Sequence, residues 1–258
     1  ASATRVVRNA LGLPAQPLEV SALVGRPFSL SLLAEAAPDA VLDYLDAVAA
    51  MPPEQIFTDS RERGAVTFGP SSPHLELVHA ADVLSWSTAA LPRVVSVLLR
   101  LHAIDPGGTW SNRPLDSLRK ALSPVTWNTS VPWARRLAVI AEQLDNDGGA
   151  SWDAFAGLVG DDGFGVIEPG PRYRQWGPRL TGVTSGELAD RRFELVSVLL
   201  PRATSPEHAK AAIGWLPQLS SDGRALVLER LAELVAGWSD AETQVPYEEL
   251  RSLIADHT

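Results

Sequence analysis

The chain has no cysteine among its 258 residues. Disulfide staples, thiolate zinc sites and cysteine nucleophiles are therefore excluded. Lysine is nearly absent too. Lys120 and Lys210 are the only two, so arginine supplies the other 20 of the 22 basic residues. Together with the abundant Ala and Leu, this imbalance points to a GC-rich bacterial genome, which is a matter of codon supply and not of mechanism. Long apolar runs are missing. The longest are short, such as Leu195–Leu200, against the roughly 18–20 residues needed to cross a bilayer. No charged segment followed by an apolar one opens the chain, so nothing reads as a secretory signal. The expectation is a soluble cytoplasmic protein with no membrane partner. Because the sequence starts at Ala1 without methionine, it reads as a processed chain or a piece of a longer one.

Several catalytic signatures are missing as well. No Gly-Lys-Ser/Thr of a phosphate-binding loop occurs, and no Gly-x-Ser-x-Gly elbow. Nothing calls for a metal or a cofactor. A formal net charge of -9 opposes non-specific attraction of the whole surface to nucleic acid, although a local basic patch is compatible with it.

What remains is helical patterning. Apolar residues are 45% and charged residues 21% of the chain, an ordinary globular balance with enough length for a sizeable core. Apolar periodicity and turn residues predict helices over Thr4–Leu11, Phe28–Ala37, Pro38–Met51, Pro73–Ser85, Ala89–Ile104 and Pro114–Leu122. A helix opened by Ser130-Val131-Pro132 should bury Leu137, Ile140, Ala141 and Leu144, and Trp152–Val159 should form its short partner. Further helices are expected over Ser185–Leu200, Pro206–Trp215, Asp222–Ala236 and Pro246–Ala255. Ala65–Phe68 is a short β-prone run, read as a loop or marginal hairpin arm because it has no partner strand. The eight tryptophans fall mostly at helix ends or in connectors, where large rings wedge between layers.

The helix over 89–104 is central. Leu91, Val94, Val95, Leu98 and Leu101 form a stripe that Val97 and Leu99 widen, leaving Arg93, Ser96 and Arg100 as the polar strip. So wide an apolar arc requires neighbours on more than one side. Asp105-Pro-Gly-Gly108 then stops the helix and reverses the chain. Val95–Leu99 recurs as Val196–Leu200, each copy followed by a Pro-containing turn and another helix, as helix-pair repeats would give. The predicted fold is all-α: antiparallel helix pairs in a HEAT-like α-solenoid, with an irregular helical bundle as the alternative. It is read as one helical domain over 1–258, divisible into lobes 1–160 and 181–258 joined by the irregular segment 160–180.

Candidate chemistry is sparse. His74-Leu-Glu76-Leu-Val-His79 has the wrong spacing for a metal, since five positions at about 100° each place the two rings about 140° apart. The pair reads as ordinary histidines, with room for one in the core. Ser117-x-x-Lys120 matches an acyl-enzyme motif but lacks its Ser-Asp-Asn and Lys-Thr-Gly companions, and reads as a chance match on an exposed helix face. The loop Gly160-Asp-Asp-Gly163-Phe-Gly165 carries two carboxylates that would repel phosphate, and Asp145-Asn-Asp147 lacks the downstream ligands of a calcium loop.

The best candidate is Arg172-Tyr173-Arg174-Gln175-Trp176, with Arg179 close by. Cations interleaved with aromatics in a surface loop suit stacking on a base or gripping a phosphate. The competing reading is structural: Tyr173 and Trp176 anchor the loop to the core, and the arginines pair with Asp161 or Asp162.

The stretch Leu99-Arg-Leu-His-Ala-Ile-Asp-Pro-Gly-Gly-Thr-Trp-Ser-Asn-Arg-Pro-Leu-Asp-Ser-Leu118, with Arg-Tyr-Arg-Gln-Trp beyond it, resembles a segment of large multidomain bacterial proteins of the STAND-type antiphage kind. The resemblance covers residues 85 to 180. It implies a helical-repeat sensor or scaffold region carried beside an effector domain, with no catalytic residues to transfer. The expected function is a non-enzymatic recognition or scaffold region whose partners are other domains of the same polypeptide or another protein. A nucleic-acid contact module using Arg172, Tyr173, Arg174, Trp176 and Arg179 is the alternative, with an enzyme of unrecognised type behind it.

Overall fold

The structure is a computed structural model that describes residues 2–13, 15–23, 29–57, 72–107, 112–125, 129–147, 149–161, 170–178 and 182–255. Among them every regular element is a helix. The β-prone run at 65–68, Trp110, Trp127 and most of the 160–165 glycine loop lie outside the described residues. No helix among the described residues is long and apolar enough to cross a membrane. The chain forms two compact units. The first comprises Ala1–Ala121, Trp127–Pro132 and Gly165–Leu180, and the second Leu122–Thr126, Trp133–Phe164 and Thr181–Thr258.

The first unit carries α1 (Ser2–Ala10), α2 (Leu30–Ala36), α3 (Pro38–Val48), α4 (Pro53–Ile56), α5 (His74–Leu84), α6 (Leu91–Ala103) and α7 (Pro114–Leu122, whose last residue belongs to the second unit). Pro38 sits at the first position of α3, where its missing N–H costs nothing. Ser29 caps α2, its hydroxyl accepting from the Leu32 N–H. Helix α6 packs against both α3 and α5. Val94, Val95, Val97, Leu98 and Leu101 are fully buried and Leu99 is half-buried, so the wide arc does meet neighbours on more than one side. Each such Val or Leu contributes about 1.5–3 kcal/mol by leaving water. The polar strip faces acids of α3: Arg93 bonds Asp43 and Asp46, and Arg100 bonds Asp46.

The turn after α6 is held by its own side chains. Gly107 has φ +82°, and its N–H donates to Asp105 Oδ1 at 3.1 Å. Arg113 grips the same buried carboxylate through Nε (2.8 Å) and Nη2 (2.7 Å). His74 is buried against Phe57, ring centroids 5.2 Å apart, while His79 is exposed. One histidine of the pair is therefore a core residue, and its pKa is lowered chiefly by burial.

The second unit carries α8 (Trp133–Asn146), α9 (Trp152–Ala156), α10 (Ser185–Leu199), α11 (Pro206–Trp215), α12 (Ser221–Val235) and α13 (Asp240–Ala255). Trp152 is its hub. The ring is fully buried, stacks on His208 at 4.1 Å and on Trp215 at 5.6 Å, and donates Nε1–H to the Leu199 carbonyl at 3.0 Å. Ser205 caps α11, its hydroxyl accepting from the His208 N–H at 3.1 Å, and Thr184 with Glu187 forms a capping box at α10. Two expectations fail here. Helix α13 begins at Asp240 and runs through Pro246, which stands inside it and not at its start. Helix α8 buries Trp133, Arg136, Val139, Ile140 and Leu144, whereas Leu137 and Ala141 are only half-buried. Its inner face is rotated toward an arginine.

Candidate functional site

Residues 170–178 of the first unit run without regular structure, so their backbone N–H groups need partners from elsewhere. Glu35, in the last turn of α2, supplies them. Its side chain is 7% exposed and accepts three consecutive N–H bonds. Arg172 donates to Oε1 at 2.9 Å, and Tyr173 and Arg174 donate to Oε2 at 2.6 and 2.8 Å. Bonds to an ionised carboxylate are about twice as strong as neutral ones, and successive N–H groups make a natural anion cradle. Arg174 returns the contact through Nη1 to the Glu35 carbonyl at 3.1 Å. Close packing sets the near end of the strap. A Cβ on Gly170 would fall 2.7 Å from Cζ2 of Trp86, so only glycine lets the backbone lie on that ring.

The candidate residues therefore divide. Arg174 stacks over Trp176, its guanidinium 4.4 Å from the ring centroid, and both are turned to holding the strap. Trp176 is half-buried, and its Nε1 is buried without a protein partner. Tyr173 is 80% exposed and anchors nothing. Arg172 is exposed, and Asp161 belongs to the second unit, where its carbonyl accepts from Arg192. Arg179 lies outside the described residues. Asp162, the other acid expected to pair with the arginines, lies outside the described residues, and among the described ones Glu35, Trp86, Gly170 and Trp176 hold the strap. Glu35 is 137 residues from Arg172 in sequence. The one local hint is a lone carboxylate between Ala34 and Ala37, both buried.

Beside the strap lies a cleft of about 360 Å³ in the first unit. Arg172 and Pro171 form one wall, α2 contributes Ser29, Ser31, Leu32 and Glu35, α5 contributes His79, Asp82 and Val83, and Lys120 of α7 closes it. The polar lining is largely engaged with the main chain. Ser85 donates to the Asp82 carbonyl at 2.7 Å, Ser29 caps α2 and lies 2.8 Å from Ser31, and Glu35 holds the strap. Lys120 is half-buried, and Ser117, three residues before it, is fully buried. This corrects the expectation of an exposed face for Ser117-x-x-Lys120: Ser117 faces the core and Lys120 the cleft. Among the described residues no group of three or more acidic or histidine side chains converges on a possible metal position. Asp145 pairs with Arg202, and Asp147 accepts from the Gly149 and Ser151 N–H groups of its own turn.

Comparisons of the chain with protein-family models, with curated proteins and with solved structures find no match.

Proposed function

We propose that this chain is a non-enzymatic helical recognition region of a larger bacterial protein, of the STAND-type helical-repeat kind, with its helix pairs stacked in a HEAT-like way. Its partner is another domain of the same polypeptide or a separate protein, met at the strap and cleft of the first unit. The observation that carries this reading is the Glu35 cradle. A loop that served only to connect would not need three charge-assisted bonds to its backbone. Those bonds fix the main chain while leaving Arg172 and Tyr173 exposed. Preorganised Arg and Tyr side chains are the residue types that dominate protein interfaces, because little entropy is lost on docking them.

Two further points support recognition over catalysis and protein over nucleic acid. Ser29, Ser85 and Glu35 of the cleft are bound to main-chain groups and hold the fold in place. The net charge of -9 and the engagement of Arg174 with Trp176 weigh against a polyanion. A photo-crosslinker tests the proposal directly. In the full-length gene product, p-benzoylphenylalanine in place of Tyr173 is expected to give a discrete adduct with one peptide of the same polypeptide or of one protein. The same group in place of Tyr247, which is 60% exposed in the second unit, serves as the control. Identical adduct patterns from both positions, or an adduct to nucleic acid from position 173, would refute it.

A further inference from the structure

The second unit contains a buried cation with no counter-charge. Arg136, the fourth residue of α8, is 0% exposed. Its Nη1 donates to the carbonyl of Ser123. Its Nε and Nη2 are buried and meet no protein acceptor. Those two N–H groups lie on one edge of the guanidinium and point the same way, forming the fork that fits two oxygens of a carboxylate or phosphate. No carboxylate of the described residues pairs with Arg136; Glu194 accepts from Trp133 Nε1 at 2.6 Å instead. A second guanidinium stands close by. Arg191 donates Nη1 to the Pro124 carbonyl at 2.8 Å. Its Cζ is 5.9 Å from the Trp133 ring centroid, and that of Arg136 is 5.2 Å from the same centroid.

The location adds more positive potential. Trp133 opens α8, a helix of 14 residues, and the side chain of Arg136 lies against that first ring, so the fork sits at the positive end of the helix dipole. Burial, and then the charge of Arg191, push the Arg136 pKa down to about 9. A neutral carbonyl is poor compensation for the buried Arg136 cation, because a buried charge is costly unless it is paired.

We infer that the start of α8 is an oxyanion-binding site, in which the Nε–Nη2 fork of Arg136 takes two oxygens of a phosphate or carboxylate group and Arg191 supplies the second positive charge. This site is independent of the strap and cleft of the first unit. The ligand chemistry is a compact oxyanion, and the arms of the test separate its two forms. Thermal unfolding of the whole chain is followed at pH 7 and fixed ionic strength while sodium chloride is exchanged for inorganic phosphate or for acetate. The expected result is a saturable rise in Tm with phosphate, with acetate, or with both. Phosphate alone marks a phosphoryl-bearing ligand and acetate alone a carboxylate-bearing one. In Arg136→Met the half-saturating concentration should rise at least tenfold. Arg191→Gln, which changes a half-buried residue, should raise it at least threefold and provides the reading if Arg136→Met does not fold. No anion response beyond chloride in the wild type overturns the assignment, and so does the same half-saturating concentration in the variants.

Discussion

Replacing Glu35 by alanine tests the strap most directly. The substitution removes three N–H acceptors at once, each bond to the charged carboxylate contributing about 1.5–3 kcal/mol, for a gross loss of about 5–9 kcal/mol. Release of the strap offsets much of this. Residues 172–174 regain backbone freedom worth about 1–2 kcal/mol each. The net loss expected is about 2–3 kcal/mol, concentrated in the strap. Amide hydrogen exchange reads it residue by residue. A local opening made easier by about 2 kcal/mol speeds exchange at the 172, 173 and 174 amides about 30-fold, while the fully buried face of α6 keeps its protection. Glu35→Gln separates charge from shape. One of its two ends is an –NH2 that must face a donor, so it should behave nearly as badly as alanine. Unchanged exchange at these three amides in Glu35→Ala would refute the tether. Wild-type behaviour in Glu35→Gln would refute its ionic character.

Two other predictions concern packing and pH. Gly170→Ala should cost about 1–3 kcal/mol in urea denaturation, because the new methyl meets Trp86 at 2.7–2.8 Å, whereas Gly214→Ala, inside α11 with nothing within 4 Å, should gain about 0.5–1 kcal/mol from helix propensity. The lowered pKa of His74 means that the unfolded chain binds this proton more readily than the folded one. The stability it safeguards is therefore complete above the unfolded value of about 6.5 and falls as pH drops from there toward the lowered folded value. His74→Phe should flatten that part of the pH–stability curve, and an unchanged slope would show that another group sets it.

The helices were legible where local chemistry specifies them. Pro114–Leu122 and Pro206–Trp215 match residue for residue, because a proline at the start and a polar or aromatic turn at the end leave little freedom. Misreadings came where tertiary context overrides local preference. Arg136 follows Trp133 at helical spacing and precedes Ile140 and Leu144, so it occupies a core position that its side-chain type argues against. The sequence predicts a helix start at Pro246, as proline favours first turns, yet α13 continues through it. Of the candidate site, the Arg/aromatic strap was visible as a composition, and Arg172 and Tyr173 do reach solvent. What holds the strap was not visible. No local pattern links Glu35 to Arg172, and the close approach of Gly170 to Trp86 shows only once the chain has folded.

The Glu35 cradle also sets an order of events during synthesis. The acceptor emerges from the ribosome at residue 35, but its three donors follow only after residue 171, with residues 133–161 of the second unit made in between. A growing chain that packs α2 early must bury a carboxylate with no donors, or leave the end of α2 open until the strap arrives. The last piece of the first unit is thus added after residues 122–126 and 133–164 of the second but before its larger part, 181–258. Residues 1–121 made alone would carry that uncompensated carboxylate permanently, so cutting the protein at the apparent seam would yield a weaker first unit than the intact chain contains.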